Sequence, residues 1–306
     1  MLRFLSKRLF FSLITFFVIV TAVFFLLRAA PGGPFDGERR LTPEIEANLK
    51  AAYDLDAPLL VQYGRYWGRL ITGDFGPSFK QKDFSVGELI ATGLPVSATL
   101  GGGALLVALA LGLSVGIAAG MNPNSWIDGA VMAANNFNLS VPTIVAAPIM
   151  VLVFSVTLSL FPAGGSDSPA HFALPIVALA IPLSASIARL TRSGVNEVLQ
   201  LPHIRTAKSK GLKQPRIVIR HILPIALIPV VSVMAPTAAS LLTGSVIVEQ
   251  IFDLPGIGRY FVEGALNRDY TLVMGVTVVY AFAILFFNLL ADICYGLLDP
   301  RIRVAQ

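Results

Sequence analysis

Charge is scarce in this sequence. Asp, Glu, Lys and Arg make up 13% of it, against about 25% in an ordinary soluble domain. With 55% hydrophobic residues, that excludes a soluble globule. Cysteine occurs once, at Cys294, so no internal disulfide can form. The three histidines, His171, His203 and His221, have no metal-ligand spacing, and no metal is expected. There is no G-x-x-x-x-G-K-[ST] phosphate loop and no Ser/His/Asp or His-Glu constellation. The chain is therefore expected not to be an enzyme, not to hydrolyse ATP by itself, and to hold no cofactor. Large repeats and low-complexity tracts are also missing, which leaves one membrane domain with an elaborated first external loop.

What is present is a series of apolar runs. A span needs roughly 20 apolar residues to cross about 30 Å of hydrocarbon. Six candidates appear: 9–27, 95–120 (within the uncharged run 89–127), 139–161, 172–188, 222–248 and 270–291. Backbone groups in hydrocarbon must be satisfied within the segment, so helices are the default and the fold class is all-α integral membrane. The first run is 19 residues long, longer than the roughly 7–15 of a signal-peptide core, and is expected to stay as a helix. Six spans put both termini on one side together with the segment 189–224. That side then holds 13 Lys/Arg and 4 Asp/Glu, leaving 10 and 14 of the totals of 23 and 18 for the other. Basic loops stay cytoplasmic, so both termini are expected there, and the positive charge is topological rather than a nucleic-acid footprint. The turn from Met121 to Asp128 has no Lys or Arg, and its placement rests on span counting alone.

The chain divides into 1–30 (tail and first helix), 31–94 (external segment) and 95–306 (five-helix core). In the external segment Thr42-Pro43-Glu44 reads as a helix start, with Ile45, Leu49 and Ala52 on one face. Pro58 starts a second helix that Gly73 stops. Its Tyr63, Tyr66 and Trp67 lie either at the membrane interface or in a packed cap. Ser85 and Glu88 form a capping-box pattern. Ala108, Gly112, Gly116 and Gly120 make a small-residue ladder that lets helix backbones approach closely. Gly101-Gly102-Gly103 reads as helix-contact glycine, and Gly256-x-Gly258 as an external turn. Pro142, Pro148, Pro175 and Pro182 kink the third and fourth spans.

The segment from Arg189 to Pro224 carries eight basic residues and one acid, Glu197. Leu201 to Lys210 can form a short helix along the membrane, ended by Gly211 in a left-handed conformation, with Pro215 starting the next. From the residues alone, this is either a solvated positive-inside loop or an elbow that passes force from a cytoplasmic partner. Within it, RTAKSKGLKQPRIVIRHILP resembles the coupling loop of binding-protein-dependent ABC importer permeases: Glu-Ala-Ala, three residues, Gly, nine residues, Ile-x-Leu-Pro. Ala207, Gly211, Leu223 and Pro224 match in register; Arg205, Thr206 and His221 depart from it. An Arg-Thr-Ala opening is usual in the peptide/nickel branch of that family. RAAPGGPF, YDLDAPLLVQY, GDFGPSF, ARLTRS, GSVIVEQIFDLPGIG, GALNRDY and LLDPRIR resemble the same branch, so the likeness covers essentially the whole chain. It is most similar to the first permease subunits of oligopeptide importers.

The resemblance implies a type I importer bundle in a bacterial cytoplasmic (inner) membrane, embedded in lipid. It implies a second homologous permease, two cytoplasmic ATPases that hold ATP and Mg, an external substrate-binding protein, and a peptide substrate. The coupling residues would be Arg205, Thr206, Ala207, Lys208, Gly211, Leu223 and Pro224, with the segment 201–211 in a groove of one ATPase. The small Ala207 and Gly211 would touch the ATPase closely. Glu249 is expected to meet the peptide amino terminus or the binding protein. Asn288 and Asp292, four apart, share a helix face as pathway candidates or as a structural pair with a nearby Arg. Dipeptide, nickel-chelate and glutathione importers are alternatives within the family. A passive channel or secondary transporter is the alternative outside it, and would show midplane charges or inverted repeats.

Overall fold

The computed structural model describes residues 2–30, 56–81, 83–242 and 245–298. The expected helix start at Thr42 and the terminal Arg301 and Arg303 lie outside the described residues. The described chain is helical, with one isolated bridge between Pro77 and Ser85. Helix α1 (Leu2–Ala29) is followed by α2 (Leu59–Ile71), α3 (Val86–Met121), α4 (Trp126–Ser140) and α5 (Thr143–Met150), which runs on as a π-helical stretch, Val151–Thr157. Then come α6 (Pro169–Leu199), α7 (Pro202–Ser209), α8 (Gln214–Ile217), a π turn (Val218–Ile222), α9 (Leu223–Ala226) and α10 (Ile228–Leu242). The last three are α11 (Val246–Ile251), α12 (Ile257–Leu266) and α13 (Tyr270–Leu298). Five of the helical stretches are long and apolar enough to cross a membrane, and a sixth span exists if α4 and the helix from Thr143 to Thr157 count as one.

The bundle is organised by the seam between α3 and α6. The small-residue ladder lies on it: Ala108, Gly112, Gly116 and Gly120 are buried. A Cβ on Gly112 would stand 2.8 Å from the Ser184 carbonyl oxygen, and one on Gly116 2.7 Å from that of Ala188. Two turns of backbone are therefore in direct contact, which only glycine permits. The Gly101-Gly102-Gly103 run divides its roles. A Cβ on Gly103 would meet Ile176 at 2.5 Å, whereas one on Gly102 would meet nothing within 4 Å. The whole run is thus not a contact surface.

The third span differs from its expected bounds. Instead of one run over 139–161, a helix begins at Trp126, stops at Ser140, and resumes at Thr143 at an angle of 95°. Pro142 is the cause. It lacks the N–H that would continue the ladder, and it forces the preceding Val141 into extended geometry at φ −95°, ψ 112°. The fourth span is longer than 172–188, because α6 continues through Arg189 and Arg192 to Leu199. The first third of the basic segment is therefore rigid helix rather than loop.

The aromatic face of α2 packs on α1, as the packed-cap reading expects. Trp67 stacks on Phe17 with centroids 5.2 Å apart, and Tyr63 shares a hydroxyl hydrogen bond with Thr21 at 2.8 Å. At the α1 end, the Arg28 guanidinium sits 3.6 Å over the Phe24 ring and donates to Gln62 Oε1 at 2.9 Å. The Ser85/Glu88 capping box is formed in full.

Two glycines of α3 separate close contact from helix propensity. Gly116→Ala should destabilise the purified protein by roughly 1–3 kcal/mol through overpacking. Gly102→Ala should instead gain up to about 1 kcal/mol from better helix propensity. Thermal unfolding in detergent checks both, and equal signs would contradict the seam.

Candidate functional site

At the basic end, α7 hangs from α6 through one residue, Gln200, and the cap Leu201. Its Ile204 and Ala207, three apart, turn inward onto Val195, Val198, Ile217, Ile222 and Ala226. Its C-terminus closes as a Schellman motif: Gly211 N–H donates to the Lys208 carbonyl at 2.9 Å and Leu212 N–H to that of Ala207 at 3.3 Å. Gly211 stands at φ +71°, where a side chain is strained. Ala207 is only 5% exposed, which corrects its expected contact with an ATPase: its size fits the chain's own interior. Gly211 is exposed, and a Cβ there would meet nothing within 4 Å of its own chain. His203, Arg205, Thr206, Lys208, Ser209 and Lys210 form the outward face. Leu223 and Pro224 are half-buried at the root, beside a close approach in which a Cβ on Gly194 would lie 2.4 Å from the Ala226 carbonyl oxygen.

A second fixture at this end went unseen in the sequence. Asp128, at the start of α4, is buried and accepts from Arg192 Nε and, at 2.7 Å, from a terminal guanidinium nitrogen. It also accepts from Asn124 N–H at 3.0 Å. The uncharged turn before it is thereby tied to α6, close to α7. The signal was available, because Asp128 is the one acid in an otherwise neutral stretch between two spans.

Asp292 reaches Arg8 of α1 at 3.2 Å, so the last span is bound to the first. With Asn288, Ser12, Thr15 and Ser232 this pair lines a cavity of about 350 Å³. Asn288 and Asp292 do share a face, as their spacing implies.

The opposite end is built around two buried carboxylates. Glu249 is fully enclosed. It accepts from Ser97 Oγ of α3 at 2.7 Å and from Arg259 N–H of α12 at 3.0 Å. Ser97 Oγ in turn accepts from Ile257 N–H at 2.9 Å. A Cβ on Gly256 would fall 2.3 Å from the Glu249 carboxyl carbon. The Pro255-Gly256 turn is thus folded over the carboxylate. In this conformation Glu249 is closed to a peptide amino terminus, and it lies in a different neighbourhood from Asn288 and Asp292. The same turn reaches the α5–α6 connection, where Gly165 N–H donates to the Phe252 carbonyl at 3.0 Å. Outside the turn, Arg259 bridges Glu263 and Asp253, each at 2.7 Å, and these partners hold its proton more firmly than usual.

The second carboxylate, Asp269, is buried at the start of α13. It accepts from Leu272 N–H at 3.1 Å, Thr271 Oγ1 at 2.9 Å, Lys80 N–H at 3.2 Å and Ser78 Oγ. Two of the sequence motifs, GDFGPSF and GALNRDY, are therefore halves of one joint.

Comparison with known proteins supplies context for both ends. A family described as "Binding-protein-dependent transport system inner membrane component" matches residues 89–304, and the corresponding N-terminal family matches residues 1–100. The oligopeptide transport system permease protein OppB of Salmonella typhimurium is 45% identical over 305 residues, covering 99% of this chain and all of that one. The dipeptide transport system permease protein DppB of Bacillus subtilis is 43% identical over 304 residues, with 99% of each chain covered. In fold, the chain is similar to one from the inward-facing MetNI methionine ABC transporter, with a TM-score of 0.52 at 21% identity over 69% of this chain and 96% of that one. A chain of an amino acid ABC transporter gives 0.51 at 18% identity, with 67% and 92% covered.

Glu249 and Gly256 should be coupled. Glu249→Ala leaves buried donors unpaired at about 1–3 kcal/mol each, and Gly256→Ala drives a methyl into the carboxylate. The double variant Glu249→Ala/Gly256→Ala should be clearly more stable than the two losses added, because the methyl then enters vacated space. Thermal unfolding of the four proteins measures it; simple additivity would show that the turn is not seated on Glu249.

Proposed function

Because this chain belongs to the inner-membrane components of binding-protein-dependent transport systems, we propose that it is a permease subunit for ATP-driven uptake of oligopeptides. Full-length identity of 45% to an oligopeptide permease supports the substrate class. The 43% identity to a dipeptide permease favours short peptides as the second reading. In this reading the chain pairs with a second homologous permease and lies in the cytoplasmic membrane. Two ATPases, which hold ATP and Mg, sit below it, and an external binding protein delivers peptide from above. Both termini and α7 face the cytoplasm.

One observation carries the mechanism. The inner face of α7 is locked to α6 and to the segment 214–226, while its outer face is exposed and basic. An ATPase pushing on Arg205, Thr206 or Lys208 therefore moves α6 and the start of the fifth span together. Leu223 and Pro224 act at the root of this lever, and Gly211 sets its turn. The π turn and Pro224 are points where the helix deforms at low cost. ATP must favour one of the two bundle states by differential binding for the cycle to be driven. Asn288 and Asp292, on the inner cavity, are assigned to the inward-open half of the path. Glu249 is assigned to holding the external turn shut rather than to binding peptide.

The test is uptake in proteoliposomes containing the complex co-purified from native cells, with peptides of two to eight residues. Arg205→Glu/Lys208→Glu should abolish peptide-stimulated ATP hydrolysis and uptake while the membrane level of the chain stays normal. Full uptake by that variant would refute α7 as the lever. Uptake restricted to dipeptides would select the second reading.

A further inference from the structure

The elbow between α4 and α5 holds a polar cluster that neither the lever nor the external turn uses. Three of four consecutive residues are Asn: Asn135, Asn136 and Asn138, with Ser140 two further on. Asn136, Ser140 and Arg189 are exposed on the isolated chain, and Asn138 is half-exposed. The Arg189 guanidinium donates to Asn136 Oδ1 at 2.9 Å, and no described carboxylate pairs with it. Asn135 is 6% exposed, and its Nδ2 has no hydrogen-bond partner. The helix breaks here, so the last carbonyls of α4, those of residues 137–140, receive no N–H from the backbone that follows.

This combination does not suit a lipid-facing surface. Unpaired amides and carbonyls are costly in hydrocarbon, and irregular backbone at membrane depth occurs where it lines a polar cavity or is covered by protein.

Resting on the reading of the chain as a peptide importer, we propose that this elbow is a contact station for the main chain of an extended peptide in transit. The side-chain amide of Asn carries the same donor and acceptor as a peptide bond. Asn136 and Asn138 can therefore form two-point hydrogen bonds with a passing backbone whatever its side chains. Arg189 binds carbonyl oxygens and the terminal carboxylate. The free carbonyls of α4 accept peptide N–H groups. Recognition of this kind is independent of peptide sequence but demands an unmodified backbone.

The experiment uses the intact complex in proteoliposomes. A tetra-alanine peptide is compared with its backbone N-methylated analogue, both saturating the binding protein. The wild type should transport the unmodified peptide with the lower KM. Asn136→Leu and Asn138→Leu should each raise the KM for the unmodified peptide about fivefold, the equivalent of one hydrogen bond. They should leave that of the analogue nearly unchanged, so that discrimination collapses. Arg189→Gln should weaken transport of the free-carboxylate peptide but not of its C-terminal amide. Asn138→Ala serves if a leucine variant is poorly made. Unaltered discrimination in well-folded variants would overturn the proposal. So would loss of the second permease on purification, which would make the elbow a subunit contact. If the wild type transports no peptide, the parent reading fails first, and that result is distinct from either.

Discussion

Close backbone contact between α3 and α6 governs where everything else can go. Gly112, Gly116 and Gly120 bring α6 so near that a methyl group would collide with carbonyl oxygens. Neither helix can tilt independently under this restraint. Helix α6 is continuous from Pro169 to Leu199, with Pro175 and Pro182 inside it, and Gly112, Gly116 and Gly120 of α3 hold it at three successive turns. The Asp128 pair, the Asn136 bond and the α7 cluster are all attached to its basic end. Movement delivered there cannot be absorbed locally and must appear as motion of the α3–α6 unit.

The other helices are joined more loosely and in a different chemistry. At the end remote from α7, Glu249 and Asp269 act chiefly on backbone N–H groups and serine hydroxyls rather than on cations. Such bonds are directional and short, and each is lost when a turn shifts by an ångström or so. At the basic end the ties are ion pairs, Asp128–Arg192 and Arg8–Asp292. The Asp128–Arg192 pair is itself two-pointed, with Asp128 buried, so it too fixes geometry.

Much of this was legible in the sequence, for identifiable reasons. Apolar run length gave the helical class, and the glycine ladder marked the seam, since both depend on local composition. The stop at Gly211 followed from backbone conformation alone. The side on which Ala207 faces was misread because small size is shared by residues that fit an interior and residues that admit a partner. The break at Pro142 was placed inside a span instead of at its bend, since apolar composition continues straight through it. Ser97 and Asp269 were passed over because their partners lie 160 and 191 residues away, a separation no local pattern reports.

The Arg8–Asp292 pair also bears on how the molecule is made. Arg8 enters the bilayer with the first helix, and its partner does not exist until nearly the whole chain has been synthesised. The cation waits at the more exposed position, 53% accessible against 14% for the carboxylate. Contact between the first and last helices therefore closes the bundle only once the chain has been made through Asp292.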